Sequence, residues 1–122
     1  MKIMSIAFTL LLILSIGNLA RGAENEETAK SWQQQASSTR AEVVKVADEL
    51  NKIGDQDNPT AKGLIEDATM WLKMGDESLS KGAEAMEKKE WEKANVSYNM
   101  AWQYYVKAAT AGLNAKRILT GQ

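Results

Sequence analysis

The chain has 122 residues, with 15 basic and 16 acidic side chains and neither histidine nor cysteine. The lack of both residue types excludes the common catalytic triads, haem attachment through Cys-x-x-Cys-His, and zinc sites built from His or Cys. The formal net charge of −1 also lacks the basic excess that phosphate binding requires, so the sequence argues against a nucleic-acid partner.

The first residues have the three-part pattern of a secretory signal peptide. Lys2 gives a positive start, an apolar run too short to span a bilayer follows, and Ala20 and Gly22 place small residues around a cleavage site. We therefore expect residues 1–22 to be removed and residues 23–122 to form one extracytoplasmic or periplasmic domain, with no membrane attachment after cleavage. An uncleaved membrane anchor is the alternative.

The first predicted helix carries a single apolar stripe. Apolar or small residues recur along it at alternating gaps of three and four, which places them on one face of an α-helix. These residues are Ala29, Trp32, Ala36, Thr39, Val43, Val46, Leu50 and Ile53. Gly54 then predicts a helix end, and Asn58-Pro59 predicts an N-cap followed by a first-turn proline. The first helix should therefore span about residues 26–53.

The next two predicted helices, at about 59–87 and 90–119, each carry two interleaved series of residues seven apart. The small series are Ala61, Ala68, Gly75 and Gly82, and Ala94, Ala101, Ala108 and Ala115. The large series are Ile65, Leu72, Leu79 and Met86, and Trp91, Tyr98, Tyr105 and Leu119, with Gly112 among them. Such seams are typical of coiled-coil packing. Each member of one small series can be paired with a member of the other so that the two residue numbers always add up to the same value. Facing positions in an antiparallel hairpin have this relation. We therefore expect small residues to face small residues and the helices to approach to about 8 Å or less.

The turn of this hairpin has no local signal, because residues 87–90 contain neither glycine nor proline. The evidence for the turn is that the seven-residue pattern changes phase there, since continuing the seam of the second helix would bring Lys89 and Lys93 into the core. One long helix over residues 59–119 that dimerises to bury its stripe is the alternative. The break in phase favours an all-α, antiparallel three-helix bundle built on a long, closely packed helical hairpin.

Aromatic and methionine side chains gather at one height of the predicted hairpin. Several of them fall outside the two seams, so the apolar surface extends beyond what a three-helix core needs. Exposed methionine and aromatic side chains together are typical of binding surfaces. The predicted partner-binding residues are Met70, Trp71, Met74, Met100, Trp102, Tyr104 and Val106. A thick core with a few surface residues is the alternative interpretation.

These features predict an exported accessory or interaction protein that is not an enzyme and needs no cofactor. It would dock onto a larger extracytoplasmic complex, or assemble with itself, through its helical hairpin. The alternative is a carrier, either of Cu(I) held by the thioethers of Met70, Met74 and Met100 or of a small apolar ligand held between helices at Gly75, Gly82 and the aromatic side chains. An enzyme subunit that shares an active site with a partner would have the same sequence features.

Overall fold

The computed structural model describes residues 23–54 and 56–121, and these residues form three helices that pack against each other. They are α1 (Ala23–Ile53), α2 (Pro59–Glu87) and α3 (Trp91–Thr120). The prediction of an all-helical fold with three packed helices is confirmed. The predicted signal peptide, residues 1–22, lies outside the described residues.

The predicted stripe of α1 is the buried face of that helix. Seven of its eight members are buried and Ile53 is partly buried. Thr39 is the polar member of the stripe, and its hydroxyl donates to the carbonyl oxygen of Gln35 at 2.9 Å. Because this bond satisfies the hydroxyl within the helix, Thr39 is accommodated in the core without an unpaired polar atom.

The connection from α1 to α2 follows the predicted pattern. Gly54 adopts the left-handed conformation with φ 76°, and its N–H donates to the carbonyl oxygen of Leu50 at 2.9 Å. Asn58 caps α2, because its side-chain oxygen accepts a hydrogen bond from the backbone N–H of Ala61 at 3.0 Å. Pro59 occupies the first turn, where the N–H that proline lacks would have no helical partner.

The chain turns between α2 and α3 without a glycine. Lys89 takes the left-handed conformation, with φ 59°. The N–H of Lys89 donates to the carbonyl of Met86 at 3.0 Å, and the N–H of Glu90 donates to that of Ala85 at 2.9 Å. These two bonds define a Schellman motif, in which a lysine occupies the position that usually holds glycine. The turn shows that the alternative of one continuous helix is wrong.

Helices α2 and α3 run antiparallel, but the small residues do not meet in the predicted way. A Cβ atom added at Gly75 would lie 2.6 Å from Cδ1 of Tyr105, and one added at Gly82 would lie 2.5 Å from Cδ1 of Tyr98. Each glycine therefore lies under a tyrosine ring. The expectation that small residues face small residues is wrong at both glycines, because the missing side chains make room for rings from the large series.

The third helix is the centre of the bundle. α1 runs parallel to α3, with the rings of Trp32 and Trp102 6.0 Å apart near one end and Val46 against Gly112 towards the other. Contacts between α1 and α2 are few by comparison. The groove between α1 and α2 is therefore incompletely closed, and its floor is formed by α3.

Candidate functional site

The side of the hairpin turned away from this groove carries an ordered pair of aromatic rings. Trp71 from α2 and Tyr104 from α3 stack with their ring centroids 5.8 Å apart and their planes 17° from parallel. The ammonium group of Lys107 lies 4.5 Å from the centroid of the Trp71 ring. Both rings are half-buried. They form an apolar surface with a cation at its edge.

Exposed apolar side chains flank this pair. Met70 and Met100 retain 47% and 42% of their surface, and Val96 retains 61%. Met74 is half-buried on the same side of α2. We call this surface the outer face of the hairpin, and its residues are Met70, Trp71, Met74, Val96, Met100 and Tyr104. Val96 was not predicted, although its spacing of four from Met100, and of eight from Tyr104, places it on the same helix face.

Two of the predicted partner-binding residues lie on another side of α3. Trp102 and Val106 are each two residues from Tyr104, which corresponds to about 160° around a helix. Trp102 packs against Trp32 of α1 and against two groups of buried core residues, one that includes Tyr98 and one that includes Tyr105. The structure thus brings five of the seven predicted residues together and separates these two, because equal height along a hairpin does not fix the direction in which a side chain points.

A polar bridge crosses the groove between α1 and α2. Arg40 donates to both carboxylate oxygens of Asp76, from Nε at 2.7 Å and from Nη2 at 3.2 Å. The hydroxyl of Tyr105, which passes over Gly75, donates to Oδ1 of Asp76 at 2.5 Å. One carboxylate therefore joins all three helices. This network was not predicted from the sequence, since periodicity does not show which edge residues of two helices meet.

Hydrogen bonding determines the charge state of the bridge. Partial burial opposes ionisation of Asp76, but the hydrogen bonds from Arg40 and Tyr105 outweigh it and hold the pKa of the carboxyl below its ordinary value. Burial, together with the bond to Asp76, raises the pKa of the Tyr105 hydroxyl. The bond to Asp76 raises the pKa of Arg40 against the opposing effect of burial. At neutral pH Arg40 and Asp76 form an ion pair, and the Asp76 carboxylate also accepts a hydrogen bond from the neutral hydroxyl of Tyr105.

An apolar cleft lies on one side of the bridge, towards the C-terminal end of α1. Its volume is about 310 Å³. Aliphatic side chains form its walls, and small residues of α2 and α3 leave the space open: Val43, Val46, Leu50, Ile65, Leu72, Ala68, Ala108 and Gly112. The cleft is at the lower end of the size range of small-molecule sites in proteins.

A second cleft, of about 300 Å³, lies on the other side of the bridge, and its walls expose mostly apolar surface although several of its residues are polar. They are formed by Gln33, Ser37, Arg40, Asp76, Leu79, Ser80, Ala83 and Tyr98. Tyr98 is fully buried, and its hydroxyl oxygen has no hydrogen-bond partner among the residues that the structure describes. Burial raises the pKa of this hydroxyl, so it is a neutral donor at physiological pH.

The described residues contain no group of three or more acidic side chains that could hold a metal ion. The three methionines proposed as copper ligands are distributed over two helices, with Met70 and Met74 one turn apart on α2 and Met100 on α3. Within the part of the chain that the structure describes, no helix combines the length and apolar character needed to cross a membrane.

Comparison of the chain with protein-family models, with curated proteins and with solved structures finds no match in any of the three.

Proposed function

We propose that this protein is an exported, non-enzymatic binding protein that docks onto a partner protein through the outer face of its hairpin. The observation that supports this most is the exposure of Met70, Val96 and Met100 around the stacked pair of Trp71 and Tyr104. Interface energy is concentrated in a few aromatic anchors surrounded by residues that exclude water. The outer face has that composition.

The stacked pair is also suited to binding because it is already ordered. Trp71 and Tyr104 restrict each other, and Lys107 is held against Trp71. Ordering side chains on association costs about 0.5–1.5 kcal/mol for each side chain immobilised. A surface that is fixed before the partner arrives avoids part of this cost. Lys107 would favour a partner with an acidic group beside its apolar contact region.

Capture of the partner from the native extract by the mature protein, with identification by mass spectrometry, tests the proposal. Trp71→Ala and Tyr104→Ala should each weaken binding to that partner by about 2 kcal/mol. Helicity should stay intact, since both rings are only half-buried. Val106→Ala is the matched control, because Val106 is an apolar residue of α3 on another side of the helix. If all three variants bind like the wild type, the outer face does not bind the partner.

Export is tested separately by N-terminal sequencing of the mature protein. The charged start, the apolar run and the small residues at Ala20 and Gly22 predict a first residue between 21 and 24. Recovery of protein that begins at Met1 from the mature fraction would contradict export with cleavage. It would leave the binding role of the hairpin open to its own test.

A carrier of small apolar ligands is the second candidate, and the apolar cleft of about 310 Å³ supports it. The sequence predicted such a ligand at Gly75, Gly82 and the aromatic side chains, but the rings of Tyr105 and Tyr98 fill the space beside the two glycines. Ala68→Leu should fill the cleft and remove binding of a hydrophobic fluorescent dye. Ala41→Leu, on the exposed side of α1, is the control. A wild-type protein that does not bind the dye, or equal binding by Ala68→Leu, would count against a carrier.

A further inference from the structure

The two tyrosines that cross the glycines of α2 belong to two equivalent layers of the bundle, seven residues apart in each helix. The Tyr105 layer consists of Arg40, Gly75, Asp76 and Tyr105. The Tyr98 layer consists of Gln33, Gly82, Ala83 and Tyr98. In both layers the tyrosine ring lies against the glycine. In the Tyr105 layer the residue after the glycine is an aspartate that accepts the tyrosine hydroxyl, whereas in the Tyr98 layer it is an alanine.

This difference leaves the Tyr98 layer without an acceptor. The Tyr98 hydroxyl is buried, and none of the described residues is its hydrogen-bond partner. A buried polar group without a partner is destabilising, and such groups are uncommon in native proteins. At the same position the second cleft, of about 300 Å³, opens, with Gln33, Ala83 and Tyr98 all in its wall. The cleft therefore includes the place where the equivalent layer holds a carboxylate.

We propose that the second cleft binds a small aliphatic monocarboxylate, whose carboxylate takes the part in the Tyr98 layer that Asp76 takes in the Tyr105 layer. The Tyr98 hydroxyl would donate to one carboxylate oxygen. The side-chain amide of Gln33 would donate in the position where the equivalent layer uses Arg40. The bound anion would then satisfy the buried hydroxyl that the folded chain leaves unpaired.

The other residues of the cleft favour an anion with a short apolar tail. Ser37 and Ser80 add hydroxyl donors to the wall, and Arg40 adds positive charge at the bridge. A metal cation is disfavoured, because the carboxylate of the cleft, Asp76, already accepts from Arg40 and Tyr105. Leu79 offers apolar surface to a tail of a few carbons. The volume of the cleft limits the ligand to a small molecule.

The experiment is an NMR titration of the mature protein with acetate, butyrate and hexanoate at neutral pH, with 1-butanol as the matched uncharged probe. We expect saturable shifts of the Gln33 side-chain amide and the Tyr98 ring with the carboxylates and none with the alcohol. Tyr98→Phe should weaken carboxylate binding by about tenfold or more, as loss of a hydrogen bond to a charged acceptor does. Helicity should be unchanged, since the ring still covers Gly82.

Ala83→Asp gives an independent test, because it places a carboxylate where the Tyr105 layer has one. Ala83 is exposed, so the substitution does not disturb the core. We expect the variant to bind the carboxylate probes at least about tenfold more weakly, because the Tyr98 hydroxyl would donate to the new carboxylate and not to the probe. The same hydrogen bond should make the variant melt at a higher temperature than the wild type.

Three results would overturn the proposal: no saturable shift in the wild type, equal shifts with 1-butanol, or unchanged affinity in both variants. Each would mean that the Tyr98 hydroxyl is satisfied by water or left unpaired. The test does not involve the outer face, so its outcome is independent of partner binding.

Discussion

The Tyr105 and Tyr98 layers use the same backbone packing and differ in how their polar atoms are satisfied. In each, the absence of a side chain on a glycine lets a tyrosine ring lie against α2. In one, Asp76 completes a network that joins three helices, whereas in the other the hydroxyl remains unpaired. Two features of each layer therefore contribute separately to the stability of the bundle. Glycine determines how closely the helices pack, and the residue after it determines whether the layer is also bonded across the groove.

The largest effect should come from restoring a side chain at either glycine. Gly75→Ala and Gly82→Ala each insert a methyl group into a tyrosine ring and should cost about 1–3 kcal/mol, as overpacked cores do. Gly75→Ala should cost more, because moving the Tyr105 ring also strains its bond to Asp76. Chemical denaturation of the two variants measures the difference.

Gly63→Ala is the matched control for these glycine variants. Gly63 lies in the same helix, but an added Cβ atom there would have no neighbour within 4 Å. Since alanine is the better helix former, this variant should be more stable than the wild type by about 0.5–1 kcal/mol. Equal changes in stability at all three glycines would mean that contact with the tyrosine rings does not determine the effect.

Removing each tyrosine hydroxyl tests the polar difference between the layers. Tyr105→Phe deletes a donor to Asp76 and should cost about 1.5–3 kcal/mol, the usual range for a hydrogen bond to a charged group. Tyr98→Phe deletes an unpaired buried hydroxyl and should leave the free energy of unfolding unchanged or increased. Thermal denaturation without added carboxylate gives both values. A loss in Tyr98→Phe as large as that in Tyr105→Phe would contradict the assignment of the two layers.

Acid should affect the two layers differently. The pKa of Asp76 is held below its ordinary value, so the bridge contributes stability above that ordinary value and loses it as pH falls through the folded-state pKa. The stability difference between the wild type and Asp76→Asn should therefore shrink below about pH 4. Tyr98→Phe should not change the acid profile, because its layer has no carboxylate. Melting temperatures measured across the acid range test both expectations.

The smallest effect should come from the turn beyond the Tyr98 layer. Lys89 adopts a left-handed conformation, which costs a non-glycine residue about 1 kcal/mol. Lys89→Gly should therefore raise stability by up to about 1 kcal/mol, measured by denaturation. Because the turn shares no partner with either layer, its effect should add to that of each layer variant. The variant thus provides a more stable background in which the costly glycine variants remain folded.

The sequence predicted the helices well because their spacing carries the signal directly. The stripe of α1 follows from its gaps of three and four, and the turn at Lys89 follows from phase even though no glycine marks it. The polar bridge could not be predicted in this way. Arg40 and Asp76 are 36 residues apart, and their meeting depends on how α1 is rotated against α2. The same limitation explains why Trp102 was grouped with Tyr104 when it packs against Trp32.

The position of α3 between the other two helices has a consequence for the dynamics of the molecule. α1 packs mainly on α3, and it is joined to α2 by the Arg40–Asp76 pair and by few other contacts. Its amide groups should therefore exchange with solvent through a partial opening of lower free energy than global unfolding, while those of the hairpin stay protected. Since α1 forms one wall of each cleft, that opening would expose both clefts together. A ligand held in either cleft would slow amide exchange along the whole of α1.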